Sequence, residues 1–312
     1  MILFILFSIL ILFFYYYSFI YDIIRLYYIN KLLPHDFNLN PSIIVRNTDN
    51  VYTNIINNIN DTVFICFRNI KIKNNFPKNN KIFISELDIN NFKLKYIPSL
   101  LIDNEFMEDP RFFSFDNNLF ISGTFIMLKD KDKPYLINNI VPKVFTLNIN
   151  NNKFYLNKLN FNEPDKWEKN WQFFQFNNKN YLIYSITPFI IYEIDDNFEI
   201  IKKITDINWN NSLFLRCSAP PVLIDDIFYL IVHSKDYFIY FITFDLNFNI
   251  LKFNNKPLIN KTKNINVFFP AGLIYNNINK LFIISTGIND DTLAFFTISK
   301  NKLDKSLISL YN

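Results

Sequence analysis

Glu108-Asp109-Pro110-Arg111 sets two carboxylates, a proline and a guanidinium directly against the aromatic run that begins at Phe112. A carboxyl held there could donate a proton if burial or a neighbouring carboxylate kept it protonated near neutral pH. Further along, Lys169 in "EKNW", Arg216 in "LRCS" and His233 at the end of "FYLIVH" supply cations of the kind that grip an anion. Each segment also has an ordinary reading. Pro110 fixes φ for a turn that Asp109 caps. Lys169 and Arg216 read as solvated charges, Trp171 as a core or edge aromatic, and His233 as a buried histidine closing a strand. Asp290 and Asp291 in "STGINDDT" read as turn residues. The chemistry depends on whether the fold brings these segments together.

Other chemistries are excluded more directly. His35 and His233 are the only histidines, and Cys66 and Cys217 stand in no metal-ligand spacing, so no metal and no cofactor are expected. A Ser-His-Asp triad would have to use His233, and no nucleophile-elbow sequence accompanies it. The two cysteines fit two buried thiols or, in an oxidising compartment, a pair. Net charge is +4, with Lys scattered rather than clustered, which argues against nucleic acid as a partner.

The positioning elements follow from composition. The chain has 312 residues, 50% apolar and 19% aromatic, enough for one large domain or two small ones. Asn-Lys runs are frequent, but aromatic and β-branched residues punctuate them closely, so they do not read as disorder. From Met1 to Tyr21 no side chain is charged, which predicts an uncleaved transmembrane signal anchor over residues 1–24 and a stem over 25–50. Arg25 and Lys31 after the span lean toward a cytosolic body by the positive-inside rule. The sequons at Asn60, Asn210 and Asn260 point the other way, but such triplets arise by chance in so Asn-rich a chain; a glycosylated body in the secretory-pathway lumen is expected from the functional reading that follows.

Past residue 50 the apolar pattern alternates. "TVFICFRN", "KIFISEL", "NLFISGTF", "KVFTLNIN", "NYLIYSIT", "FYLIVHS", "YFITFDL" and "LFIISTG" read as short strands bounded by Asn, Asp or Lys turns, which predicts an all-β domain. A hairpin unit recurs from Phe112, Phe173, Pro220 and Pro270, closing at Ser122, Ser185, Ser234 and Ser285, and an earlier copy closes at Ser85. A period of about 50 residues with four strands per unit predicts a five-bladed β-propeller over residues 51–312. A β-sandwich is the structural alternative. In a radial fold, the segments before successive hairpins converge on the axis.

The ordered set "EDPR", "EKNW", "LRCSAPPV", "YLIVHS" and "STGINDDT" resembles glycoside hydrolase family 130, the five-bladed β-mannoside phosphorylases and related mannosyltransferases. The resemblance spans roughly residues 60 to 300, and "EDPR" before a hairpin is its most specific element. It implies an inverting displacement with Asp109 as general acid, protonating the leaving glycosidic oxygen while phosphate, water or an acceptor hydroxyl attacks the opposite face. It implies phosphate or sugar-phosphate contacts from Lys169, His233 and, more loosely, Tyr240, and sugar contacts from Glu108, Arg111, Asn170, Trp171, Arg216 and Asp290.

Two departures bear on the reaction. Cys217-Ser218 replaces a glycine pair of the family, and no Arg stands between Arg111 and Lys169 where the phosphorylases carry one. Loss of a phosphate ligand favours hydrolysis, or transfer from a different donor, over phosphorolysis, and together with the expected anchor it favours glycosyl transfer. The expectation is a membrane-anchored carbohydrate-active enzyme; the rival is a catalytically silent propeller that binds glycan or protein through its rim.

Overall fold

The computed structural model describes residues 38–39, 50–59, 62–73, 76–90, 93–94, 99–103, 107–116, 118–128, 137–150, 153–158, 170–209, 213–258, 267–288 and 292–310. Ile, Phe, Tyr and Val at alternate positions make antiparallel strands in five sheets. The first sheet holds Asn50–Ile59, Thr62–Lys73 and Phe76–Asp88, with Lys93–Leu94 and Ser99–Asp103 both pairing on Phe76–Asp88. Met107–Phe115, Asn118–Leu128, Ile137–Asn150 and Lys153–Lys158 form the second. The third runs Gln172–Phe176, Lys179–Ser185, Phe189–Ile194, Ile200–Ile207. In the fourth, the inner edge is split into Leu215–Cys217 and Val222–Ile224, both on Ile227–Ser234, followed by Ile239–Phe244 and Ile250–Phe253. The fifth contains Phe268–Asn276, Leu281–Ile288 and Thr292–Ser299.

These sheets are propeller blades, because apolar layers lie between the second and third, third and fourth, fourth and fifth, and fifth and first, while strands of the first and second are neighbours. Phe113, Phe115, Phe173 and Phe198 fill the layer between the second and third. Phe174, Phe228, Phe244 and Phe248 fill the next. Tyr229, Phe241, Phe282 and Phe296 join the fourth to the fifth. Val63 and Ile65 meet Ile283 and Phe295 to close the ring. Strand alternation makes this possible: Phe173 stacks on Phe113 with ring centroids 4.7 Å apart, while Phe174 points the other way to Phe228 at 5.5 Å. Each buried aromatic contributes about 1.5–3 kcal/mol of transfer free energy. A sandwich of two sheets is thereby excluded.

The ring is closed by the N-terminal side of the chain. Asn38–Leu39 pairs antiparallel with Thr292–Ser299, Asn38 opposite Thr297, and supplies the fourth strand of the fifth blade. After the helix Lys300–Ser306, whose N-cap is Ser299, Ile308–Ser309 adds to the outer edge of the fourth blade.

With 3 Gly in the chain, Asn and Asp take the left-handed turn positions. The two-residue turns Asn177-Asn178 (φ 49° and 57°) and Asp225-Asp226 (φ 50° and 61°) have the double positive φ of type I′ hairpins. A second repeated device links the third and fourth strands of two blades. Asp195 Oδ1 accepts from the N–H groups of Asn197 and Glu199, and Asp245 Oδ1 accepts from Asn247 and Asn249. In each, a phenylalanine at positive φ, Phe198 or Phe248, turns into the adjoining apolar layer.

Two details of the predicted repeat change. The first copy, read as an inner hairpin, covers the second and third strands of its blade; Asn50–Ile59 is the inner one, and Ser85 lies on the third. The closing serines are also not all equivalent. Counted from the hairpin turns, Ser122 and Ser285 share a level with Ile183 and Ile231, whereas Ser185 is level with Thr124 and His233. Inner strands differ in bulges, so equal spacing along the chain does not preserve register. Cys66 and Cys217 are free and buried, in separate blades.

No helix among the described residues is long and apolar enough to cross a membrane. The expected anchor over 1–24, most of the expected stem over 25–50, and the asparagines of all three sequons lie outside the described residues.

Candidate functional site

Asp109 sits in a β-bulge: Glu108 pairs with Thr124 and Arg111 with Ser122, leaving Asp109 and Pro110 to share one position of the partner strand. Its φ is 50°, a left-handed value that Asp tolerates better than most residues. Such bulges re-aim a side chain, and backbone strain persists where the surroundings over-determine it. Counted back from its own hairpin, Asn170 in the third blade matches Asp109, and its φ is 70°. The inner strands of two successive blades thus enter the same way.

Arg111 joins three blades. Its Nε donates to the Ser218 carbonyl at 3.0 Å, Nη2 to Asn170 Oδ1 at 3.5 Å, and Nη1 to the Asp109 carbonyl at 3.5 Å. The Phe269 ring of the fifth blade lies 5.7 Å from its Cζ. The side chain is buried and makes no direct ion pair among the described residues. Burial pulls the guanidinium pKa down, and the Asp109 charge draws it back up. Ser218 extends the network, its Oγ hydrogen-bonded to His233 Nδ1 at 2.8 Å. The His233 ring lies edge-on to Phe269 at 5.1 Å and parallel to Tyr237 at 6.1 Å. Tyr237 is exposed, at φ 61° in the turn where its N–H donates to the Ser234 carbonyl.

The predicted site residues therefore separate. Asp109, Arg111, Asn170 and His233 come together from the second, third and fourth blades. Arg216, half-buried, pairs in register with His233 and lays its guanidinium 5.5 Å from the ring of exposed Phe214. Trp171 and Tyr240 are instead packed into apolar layers, Trp171 against Tyr184 and Tyr240 between the third and fourth blades. Tyr240 faces that layer because alternation sends Ile239 and Phe241 to the opposite face. Burial raises its phenol pKa, with Asp236 adding to the shift. Glu108 lies on the strand opposite Thr124. Lys169 and Asp290 fall outside the described residues.

Ser218, Phe269 and Tyr237 are the members that sequence reasoning did not select. Ser218 was visible inside "LRCS" only as a replaced glycine, and no local signal marks Phe269 as the partner of an arginine so distant in the chain. Along the inner strands, an open cleft of about 400 Å³ is lined by Phe112, Ser114, Phe173, Gln175, Val222 and Leu273, from four blades. Asp109, Arg111, Ser218 and His233 are not among its lining residues; as a group, a half-buried carboxyl, a buried guanidinium and a histidine–serine pair are of the types that donate a proton and hold an oxyanion or a polyhydroxylated ring. Among the described residues, no cluster of His, Cys, Asp and Glu could hold a metal ion.

No protein-family model matches the sequence, and no curated protein matches it. Solved structures do. The β-1,2-mannobiose phosphorylase from Listeria innocua, in complex with β-1,2-mannobiose, superposes with a TM-score of 0.59 at 12% identity, covering 88% of this chain and 93% of the other. The chain shares its fold with mannoside phosphorylases. A mannose phosphorylase from Leishmania mexicana, in complex with a phosphate ion, gives a TM-score of 0.57 at 12% identity, covering 83% and 87%. A GDP-Man-dependent mannosyltransferase from the same organism gives 0.55 at 14%, covering 81% and 86%. One fold thus carries both phosphorolysis and transfer, and the likeness does not choose between them.

Proposed function

We propose that this chain is a carbohydrate-active enzyme that transfers or cleaves a glycosyl unit of β-mannosyl type by an inverting displacement, with Asp109 as general acid/base. The observation that carries the proposal is the bulge that sets Asp109 beside Arg111, at the point where Asn170, Ser218 and the His233 pair converge. Asp109 would protonate the leaving glycosidic oxygen while an acceptor hydroxyl, phosphate or water attacks the opposite face of the anomeric carbon. Arg111 and His233 would hold the sugar or a phosphate group of the donor, joined by Lys169, Arg216 and Asp290. The missing arginine between Arg111 and Lys169 supports transfer over phosphorolysis. The uncharged run from Met1 to Tyr21 supports attachment to a membrane, and the glycan-building reading, rather than the charges that flank the run, favours a body in the secretory-pathway lumen.

One observation favours a binding module without turnover: Arg111 directs its donors to protein acceptors rather than to open space. A donor screen separates the readings. The full-length chain is supplied with sugar 1-phosphates and nucleotide sugars, and released phosphate or nucleotide is measured. Turnover that falls about 10²- to 10⁴-fold in Asp109→Asn supports the enzyme. Turnover equal to wild type in that variant removes Asp109 from the mechanism, and sugar binding without turnover leaves the binding module.

A further inference from the structure

Arg111 belongs to a level of the propeller that can be traced around the axis. It pairs with Ser122, Gln172 with Ile183, and Gly272 with Ser285, while the Ser218 N–H donates to the carbonyl of Ile231, the counterpart of those partner residues. On the inner strands this level carries Arg111, Gln172 and Ser218, where the next level toward the hairpins carries Phe112 and Phe173, paired with Ile121 and Leu182. It is also incomplete. Gln172 is 1% exposed, yet neither Nε2 nor Oε1 finds a hydrogen-bond partner; Ser285 Oγ at the same level and Thr286 Oγ1 one residue on are likewise buried and unpaired. Thr187, beside Pro188 in a loop, is the one other described side chain of this kind. Three of four such side chains therefore sit within one residue of the layer under the proposed site.

A buried amide with both ends unsatisfied is strongly unfavourable, and the great majority of buried polar groups are paired. Removing Gln172 in favour of an apolar side chain would relieve that penalty, so packing does not explain an amide here. By alternation Gln172 shares a strand face with Phe174, toward the fourth blade that supplies Ser218 and His233. Resting on the carbohydrate reading above, we infer that Gln172 is a further ligand-reading residue of this site. Its amide, one donor end and one acceptor end, has no exposed surface in the ligand-free structure, so it completes its hydrogen bonds with a hydroxyl pair of a seated pyranose only once the side chain turns out of its buried position.

The test is a thermal melt of the full-length chain and of Gln172→Met, a near-isosteric apolar replacement, each without ligand and with D-mannose plus inorganic phosphate. The inference expects the ligand-free variant to melt at or above the wild type and to lose most of the sugar-induced upward shift. With any donor that turns over, KM should rise roughly tenfold while kcat stays within about threefold. A ligand-free variant that melts lower, or does not fold, overturns the inference, because the amide is then satisfied inside the free protein. A sugar-induced shift kept in full by the variant overturns it alone. A wild type that neither shifts nor turns over any sugar overturns the carbohydrate reading and this inference with it.

Discussion

At the scale of single residues, Arg111 poses the sharpest energetic question. A buried guanidinium without a direct carboxylate partner carries a desolvation penalty of several kcal/mol. Against this stands one good hydrogen bond, at 3.0 Å to Ser218, and two at 3.5 Å, the outer limit of useful geometry. A well-aligned hydrogen bond involving a charge contributes about 1.5–3 kcal/mol, and with two of the three at the distance limit the bonds offset the burial without a clear surplus. Arg111 is then kept for what it holds rather than for stability. Arg111→Met is expected to unfold in urea within about 2 kcal/mol of the wild type, or later, while losing turnover. A larger loss of stability would make Arg111 a structural tie and empty the site of its central cation.

Between residues and blades, the turns carry testable weight. Asp195 satisfies two backbone N–H groups that its strand connection leaves unpaired, and Phe198 buries its ring among Phe113, Phe115 and Phe173. Phe198→Ala is expected to cost about 3–5 kcal/mol and Asp195→Ala about 1 kcal/mol, measured by chemical denaturation. On the outer side of the same blade, Glu193 receives Lys179 at 3.2 Å and Lys202 at 3.4 Å. Burial raises its carboxyl pKa, but the two ammonium groups prevail and hold it below the ordinary 4.5. A lowered folded-state pKa contributes stability that is present above the unfolded value and lost as pH falls through the folded one. The difference in melting temperature between wild type and Glu193→Gln should therefore be constant near neutrality and shrink below about pH 4.5. A difference that grows on acidification would contradict the pairing.

For the whole molecule, closure is the decisive feature. Asn38–Leu39 reaches the fifth blade from the other end of the chain, so a chain beginning at residue 40 lacks the outer strand of that blade. Compared with one beginning at residue 25, it is expected to melt several degrees lower, since about 1 kcal/mol moves Tm by roughly 2–4 °C in a protein of this size. Equal melting would show that the ring holds without it. The full-length chain is also expected to stay in the pellet after alkaline carbonate extraction, as the uncharged run Met1 to Tyr21 requires of a spanning helix.

The all-β class and the hairpin repeat were legible in the sequence because each rests on local pattern: strand alternation and Asn and Asp turns. Register was not legible. One extra residue at Asp109-Pro110 and a split inner strand around Ser218 shift which side chains meet, and such bulges leave no mark in composition. For the same reason Trp171 and Tyr240, read as site residues, turn into apolar layers, while Ser218, Phe269 and Gln172 turn out to matter. The sequence by itself determined which residues could do chemistry; tertiary structure decided which of them face the axis, because a one-residue slip along a strand sends every side chain to the opposite face.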